Sequence, residues 1–491
     1  MKYLLGIDFG GGALKATLLA ETGEIVSECT VEYPTLYPEA HACEQSPQHW
    51  IDALCQGTRS ILCQSGVSSK DIEAVAVDSA THTSIVCDAD MKPLRNAIHW
   101  TDSRSRCEAE ELRRQYGDEI FKKTFHRPDT IWTLPQLLWL KNHEPENFSK
   151  TRHIFFEKDY IRYFLTGVFC TDYIEAEGSM LFDCTTMCWD AWLCGLCGID
   201  VSMLPPVKKP TDVIGSITEA AERATGLFKG TPVICGTTDT VMEVFASGAV
   251  EEGDCTVKLA TAGRICVITQ KPYPDRHMIN YSHVIDGLWY PGTATKSAAA
   301  SYRWYRDTFG GDYRVLDEAA AKIRVGCDGL MFHPYLNGEL TPYADPTLCG
   351  SFTGMRATHT RAHFTRAVLE GVSLSLLDCK RYLDGLNIPY KSVATLIGGG
   401  TKGALWGQIT ADVLGITLRT AKSSDSSLGS AMLAGVAVGI FKDPRAAAAR
   451  CVRQSRSFTP IPENTECYRK LFEKYKKIHD ALAPIYQEES L

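Results

Sequence analysis

Tyr3–Phe9 is apolar except for Gly6 and Asp8, a pattern that predicts a buried strand. Gly10–Gly11–Gly12 supplies a tight turn into a second strand, Ala13–Ala20, and Thr22–Gly23–Glu24 turns into a third, Ile25–Tyr33. Together these three form an antiparallel meander. A helix over about Pro47–Ser65, the apolar strand Ile72–Val77 and a hairpin turning at Asp88–Lys92 follow. Leu134, Leu137, Leu138 and Leu140, then Tyr160, Tyr163 and Phe164, fall at helical spacing, so residues 105–165 read as mainly helical. Leu204–Pro210 leads into a helix at Glu219–Thr225 and a buried strand at Pro232–Cys235.

The second half opens with the same device: strand Asp254–Ala260, turn Thr261–Gly263, strand Arg264–Gln270. This repetition points to an internal duplication in which Ala260 stands where the first copy has Asp8. A helix at Arg361–Leu383, a strand at Val393–Ile397, the run Gly398–Gly400, a helix at Leu405–Leu414 and a small-residue helix at Leu428–Val438 complete the pattern. Strands alternating with helices make this an α/β protein, with the boundary between halves near residues 246–253.

A chain of 491 residues is long enough for two large domains, and its 44% hydrophobic and 22% charged content is that of a globular protein. Fifty-one Lys and Arg against 59 Asp and Glu give a net charge of −8. That balance excludes recognition of nucleic acid or of an anionic membrane through bulk positive charge. The first apolar run is too short for an export signal or a membrane span, so the expected location is cytoplasmic. The 19 scattered cysteines are read as reduced thiols. Cys184, Cys188, Cys194 and Cys197 admit a zinc reading, against which stands ordinary helical scaffold. His359 and His363, four apart, are read as packing residues.

Three glycine-containing turns, Gly10–Gly12, Thr261–Gly263 and Gly398–Gly400, follow buried strands, where backbone amides can approach phosphate oxygens. Each can equally be a plain hairpin or cap turn. The P-loop, the dinucleotide fingerprint and the protein-kinase motifs are all missing. Asp8, at the end of a strand before such a turn, suits Mg²⁺, and Lys15 is either a further cation or a solvated lysine. Asp239, after strand Pro232–Cys235, is either a helix N-cap or a general base for a hydroxyl acceptor.

Longer motifs then match a family. Gly350–Ser351–Phe352–Thr353–Gly354–Met355 and, seven residues on, His363–Phe364–Thr365–Arg366–Ala367–Val368–Leu369–Glu370 fit the C-terminal signature of the FGGY carbohydrate kinases. Gly6–Gly10 with Lys15 resembles their first phosphate motif. Thr395–Lys402 with Trp406 and Asp412 resembles their adenosine segment, and Leu428–Ala434 the small-residue helix beside it. His99–Arg104 is similar to the family's W-x-D-x-R stretch, Lys158–Tyr160 and Leu165–Gly167 also follow the family, and Asp239 falls at its catalytic aspartate. Among these kinases the chain resembles the xylulokinase-type pentulose kinases. It departs from them where Q-M-H-G becomes Ala80–Thr81–His82–Thr83, where Thr240 replaces an asparagine, where G-T-S-G becomes Ala260–Gly263, and where Gln136 replaces a lysine.

The resemblance implies two duplicated actin-like (ribonuclease-H-like) ATPase lobes with an interlobe cleft, residues 1–248 holding sugar and 249–491 holding nucleotide. It implies ATP and Mg²⁺, with Asp239 and Asp8 catalytic and both facing the metal, converging across a hinge. Gly10, Gly11, Gly12, Lys15, Thr261, Gly263, Gly398, Gly399, Gly400 and Lys402 fall to the nucleotide, and Thr81, His82, Trp100, Asp102, Asp239 and Thr240 to the sugar. The implied reaction is phosphorylation of a terminal hydroxyl of a ketopentose, D-xylulose to D-xylulose 5-phosphate. Another ketose, a polyol, a sugar acid, or a non-catalytic ATP-binding clamp or sugar sensor are the alternatives. A homodimer is also implied.

Overall fold

A computed structural model describes residues 1–488. Residues 489–491, the end of the expected second lobe, lie outside the described residues. The chain divides into two compact units. The first comprises Met1–Val250, Tyr281–Gly287 and Ser423–Val452, and the second Glu251–Asn280, Leu288–Lys422 and Arg453 onward. The main break thus falls two residues from the expected 248/249 boundary. Two later segments return to the first unit, among them the small-residue helix expected to lie with the nucleotide half. Among the described residues no helix is long and apolar enough to cross a membrane.

Each unit is built on a six-stranded sheet. In the first the order is Val213–Ser216, Pro232–Ile234, Ile72–Ser79, Tyr3–Phe9, Ala13–Ala20 and Ile25–Glu32. In the second it is Gln454–Phe458, Thr417–Ala421, Val393–Ile397, Cys255–Leu259, Gly263–Val267 and Gly292–Thr295. Read in these orders, both sheets pair antiparallel, parallel, parallel, antiparallel, antiparallel. The duplication is therefore complete at the level of the sheet. It also corrects one equivalence: Asp8 is the penultimate residue of its central strand, and the penultimate residue of Cys255–Leu259 is Lys258, not Ala260.

The central strands are buried over almost their whole length, as parallel pairing on one side and helices on the faces require. Strand Ile72–Ser79 runs two residues beyond the expected Val77 and so takes in Asp78. The apolar run ends at Val77, but parallel pairing with Tyr3–Phe9 continues through Asp78 and Ser79. Residues 105–165 are helical at Arg106–Thr124, Thr133–His143, Pro145–Lys150 and Glu157–Thr166, with a short strand, His153–Phe156, between the last two. Strand Gly263–Val267 stops short of the expected Gln270 because Ile268 turns to bond Asp254 and Thr269 bridges to Trp289. A closing helix, Pro462–Gln487, buries Tyr468, Phe472, Tyr475 and His479 on one face of the second unit.

Glycine sets how close helix and strand come in the first unit. A Cβ on Gly6 would overlap the carbonyl oxygen of Ser427, and one on Gly429 would overlap that of Met242. Helix Ser426–Ala437 therefore lies with backbone against backbone on strand Tyr3–Phe9 and helix Asp239–Ala246. The returning segment Tyr281–Gly287 is fastened by Glu177, whose carboxylate accepts from Ser282 N at 2.8 Å and Ser282 Oγ at 2.5 Å. Glu177 is fully buried, and burial pushes its carboxyl up to about 8 against the pull of those two bonds.

Two measurements test this packing. Gly6→Ala forces helix and strand apart and is expected to destabilise the protein by about 1–3 kcal/mol in thermal or denaturant unfolding. Gly195→Ala, where an added Cβ meets nothing, is expected to be neutral or stabilising. Glu177 holds its proton more tightly folded than unfolded, so its contribution to stability is complete below about pH 4.5 and is lost as pH rises through 8. Unfolding followed from pH 5 to 9 should show this decline, and Glu177→Gln should flatten it.

Candidate active site

Strand register builds the centre of the first unit. Asp8 stands beside Asp78 on the parallel neighbour and opposite Lys15 on the antiparallel one, so the three side chains share one face. Asp8 is 4% exposed and Asp78 is fully buried. Oδ1 of each has no hydrogen-bond partner, while Oδ2 of Asp78 accepts from the Ser430 hydroxyl. Burial, then the charges of Asp425 and Asp239, push the Asp8 carboxyl up to about 7, with Lys15 and Ser426 opposing. Burial and the neighbouring Asp8 drive Asp78 well above the usual carboxylate range. Lys15 is paired at 2.7 Å with Asp425, the residue that caps helix Ser426–Ala437.

Asp239 reaches this centre from a constrained turn. Gly236 has φ +64°, and a Cβ there would overlap the carbonyl of Val77. Thr237 Oγ1 donates to Asp172 at 2.7 Å, and Thr238 bridges to Ser79 and occupies the N-cap of helix Asp239–Ala246. Asp239 is thus the first helical residue rather than the cap. It is partly exposed, and Thr240 Oγ1 donates to its Oδ1 at 3.1 Å. Asp8 and Asp239 lie in the same unit, and the charge of Asp239 raises the Asp8 carboxyl. The expectation that these two meet across a hinge is therefore corrected.

Sequence reasoning missed two members of this group. Asp78 lies one residue past Val77, where the apolar pattern ends the strand, and carries no motif of its own. Glu157, at the start of helix Glu157–Thr166, is fully buried, and burial followed by the charges of Asp239 and Asp8 drives its carboxyl well up. Behind them, Lys158 bonds Asp159 at 2.6 Å and Asp172 at 2.8 Å, and Arg162 pairs with Asp159. All four are buried. Asp172 thus ties this ion network to the turn that carries Asp239.

Of the residues expected at the sugar, His82 is set most deliberately. It has φ +69°, a backbone conformation rarely adopted by side chains other than glycine. Its amide donates to Glu175 at 2.8 Å, and its ring meets Tyr281 OH at 3.1 Å and Trp132 at a centroid distance of 4.7 Å. His126 also stacks on Trp132, at 4.4 Å. Thr81 is buried next to it, and Trp100 is 41% exposed. Both oxygens of Asp102 accept bonds within the protein, from Cys43 N at 2.6 Å and from Arg104, so this carboxylate holds its own loop.

The Gly10–Gly12 turn is exposed at Gly11 and Gly12, and its carbonyls are held by Tyr33, Thr35 and Gln45. In the second unit, Thr261, Gly399, Gly400 and Lys402 line a pocket of about 580 Å³ together with Tyr302, Arg303, Asp317 and Trp406. Gly398 and Gly263 shape the backbone behind it. Gly398 has φ +91° and lies against Leu259, and Gly263 packs on Thr295 and Ala298. Among the described residues no group of three or more His, Cys, Asp or Glu is arranged to hold a metal ion. Cys184 and Cys197 donate to the carbonyls of Thr124 and Cys194, while Cys188 is exposed.

Known proteins with these features can now be set beside the chain. The N-terminal domain profile of the FGGY family of carbohydrate kinases matches residues 3–246, and the C-terminal domain profile matches residues 233–438. Xylulose kinase of Bacillus subtilis is 32% identical over 488 residues, 98% of this chain and 97% of that protein. Gluconokinase of the same organism is 29% identical over 491 residues, 96% and 94% of the two chains. The crystal structure of ligand-bound xylulose kinase from Lactobacillus acidophilus superposes with a TM-score of 0.93 at 26% identity, covering all of both chains. With both domain profiles matched and the duplicated sheets in place, the chain belongs to the FGGY family of carbohydrate kinases and is an ATP-dependent sugar kinase.

Proposed function

We propose that this kinase transfers the γ-phosphoryl group of ATP to a terminal hydroxyl of a ketopentose, with D-xylulose as substrate and Asp239 as general base. The observation that carries the reading is the carboxylate centre of the first unit. Asp239 is the partly exposed acid among buried ones, held on a turn that Gly236, Thr237 and Thr238 each restrain. An alcohol acceptor must lose its proton as the new P–O bond forms, and a positioned carboxylate supplies the acceptor for it. The Thr240 hydroxyl on Oδ1 orients that carboxylate.

The residues present suit Mg²⁺. Asp8 and Asp78 offer hard oxygen donors, each with one buried oxygen lacking a hydrogen-bond partner, and burial together with neighbouring negative charge disfavours their ionised forms. Asp8 and Asp239 would hold the ion in company with its own waters. Bound there, Mg²⁺ supplies countercharge for the phosphates of ATP. In the second unit the 580 Å³ pocket, lined by Gly399, Gly400, Gly403, Arg303 and Lys402, is the site we assign to the nucleotide.

A neutral ketose is favoured over a sugar acid on electrostatic grounds. The centre already holds Asp8, Asp78, Glu157 and Asp239, and the nearby cations Lys158 and Arg162 are taken by Asp159 and Asp172. A further carboxylate would raise the repulsion that already lifts Asp8 and Glu157. The gluconokinase of 29% identity makes gluconate the second reading.

Two experiments test the proposal. In an ADP-release assay, D-xylulose should give the highest kcat/KM among D-xylulose, D-ribulose, D-gluconate and glycerol, and a higher value for gluconate would overturn the neutral-ketose assignment. Asp239→Asn should cut kcat about 10²–10⁴-fold while leaving ADP affinity unchanged. A variant that keeps more than about a tenth of the wild-type rate would remove Asp239 from the role of base.

A further inference from the structure

We propose that Asp317 reads the base of the bound nucleotide by accepting a hydrogen bond from its exocyclic amine, selecting a 6-amino purine over a 6-oxo purine. The inference rests on assigning the second unit's pocket to the nucleotide, and it deepens that reading.

Asp317 is the one carboxylate among the residues that line the pocket, whose charged partners there are the cations Arg303 and Lys402. An acid in a cavity meant for a polyphosphate is unfavourable unless it lies away from the phosphates and meets a hydrogen-bond donor. The carboxylate of Asp317 is set in place by a neighbouring hydroxyl. It stands on helix Tyr313–Ala320, and its Oδ1 accepts from Tyr302 OH at 2.7 Å, which fixes the carboxylate plane. Tyr302 is itself held edge-on between Tyr313, at a centroid distance of 5.0 Å, and Trp406, at 5.8 Å. These rings give the flat, apolar surroundings a purine needs.

The second oxygen remains for a ligand. A Cβ on Gly403 would stand 3.0 Å from Asp317 Oδ2, so the glycine keeps open the space that any other residue would crowd. In the same lining, Arg303 Nη2 donates to Thr261 Oγ1 at 3.1 Å, which places cationic and hydroxyl groups at the turn after the central strand. A carboxylate oxygen can only accept. Adenine offers it the N6 amine, whereas hypoxanthine and guanine present a carbonyl oxygen at the same position and would be repelled. The ribose hydroxyls are the other donors an adenine nucleotide carries, and the test separates them; the N1–H of a 6-oxo purine sits one ring atom away from the position of N6.

Calorimetric titration of the full chain with ADP, IDP and 2′-deoxy-ADP reads the selectivity without depending on turnover or on which sugar is phosphorylated. IDP should bind about 10–100-fold more weakly than ADP, and 2′-deoxy-ADP within about threefold of it. In Asp317→Asn, Tyr302 keeps its acceptor and the amide nitrogen faces the base as a donor. The preference for ADP over IDP should then shrink at least about tenfold or reverse, with IDP binding more tightly than in the wild type. Gain of IDP affinity is an outcome that a misfolded variant cannot produce. Equal wild-type affinity for ADP and IDP, an equal loss of both in Asp317→Asn, or a loss confined to the 2′-deoxy nucleotide would each overturn the assignment. Amine-selective ADP binding without release of ADP on any sugar would sink the ketopentose reading and leave this one standing.

Discussion

Asp8 and Asp78 face each other across adjacent parallel strands, and this pairing puts two carboxyls side by side where neither can retreat to solvent. Like charges a few ångströms apart repel by on the order of several kcal/mol at the effective dielectric of a protein. The fold must therefore hold them there by force of geometry. Register does part of it, since a slip of one residue would turn Asp8 to the opposite face of the sheet. The glycine contacts do the rest: only because Gly6 and Gly429 lack side chains does helix Ser426–Ala437 come close enough for Ser430 to bond Asp78 and for Asp425 to hold Lys15. The repulsion that remains is what the Mg²⁺ proposed for this centre would relieve.

The two sheets show how one architecture serves different chemistry. They share strand order and the direction of every pairing. Yet the penultimate residue of the central strand is Asp8 in one and Lys258 in the other, and the turn that follows is Gly10–Gly12 in one and Ala260–Ala262 in the other. In the second unit a cavity of about 580 Å³ lies beside that turn, with Gly399, Gly400 and Gly403 along its wall. Backbone topology was copied, and a handful of side chains then divided the labour.

Much of this was legible in the sequence because it rests on local patterns. The opening meander, its repetition and the glycine turns follow from apolar periodicity and turn chemistry over a few residues. Asp8 stood out as an acid inside an apolar strand. By the same criterion Asp78 should have stood out too, but an acid followed by Ser79 and Ala80 also looks like the end of a strand, and only the register with Tyr3–Phe9 decides between the two. Glu157 carries no local signal, because a glutamate at a helix start is ordinarily solvated. Asp102 has a motif position that suggests a ligand contact, while its bond from Cys43, distant in sequence, is set by the fold. The return of Ser423–Val452 to the first unit is likewise a matter of tertiary packing that no window of sequence contains.

The buried ion network behind Asp239 bears on what its charges are for. Lys158, Asp159, Arg162 and Asp172, a cluster of charged side chains near Asp239, would read as a binding site from their types alone. Their geometry argues otherwise, since Lys158 is fully buried between Asp159 and Asp172, and Arg162 spends its guanidinium on Asp159 and the Cys170 carbonyl. Buried pairs of this kind add little net stability compared with apolar packing, but they enforce geometry, because breaking one strands a charge. Asp172 extends that enforcement outward: the same carboxylate that holds Lys158 accepts from Thr237, two residues before Asp239. The placement of Asp239, the proposed base, thus depends on a buried charge network.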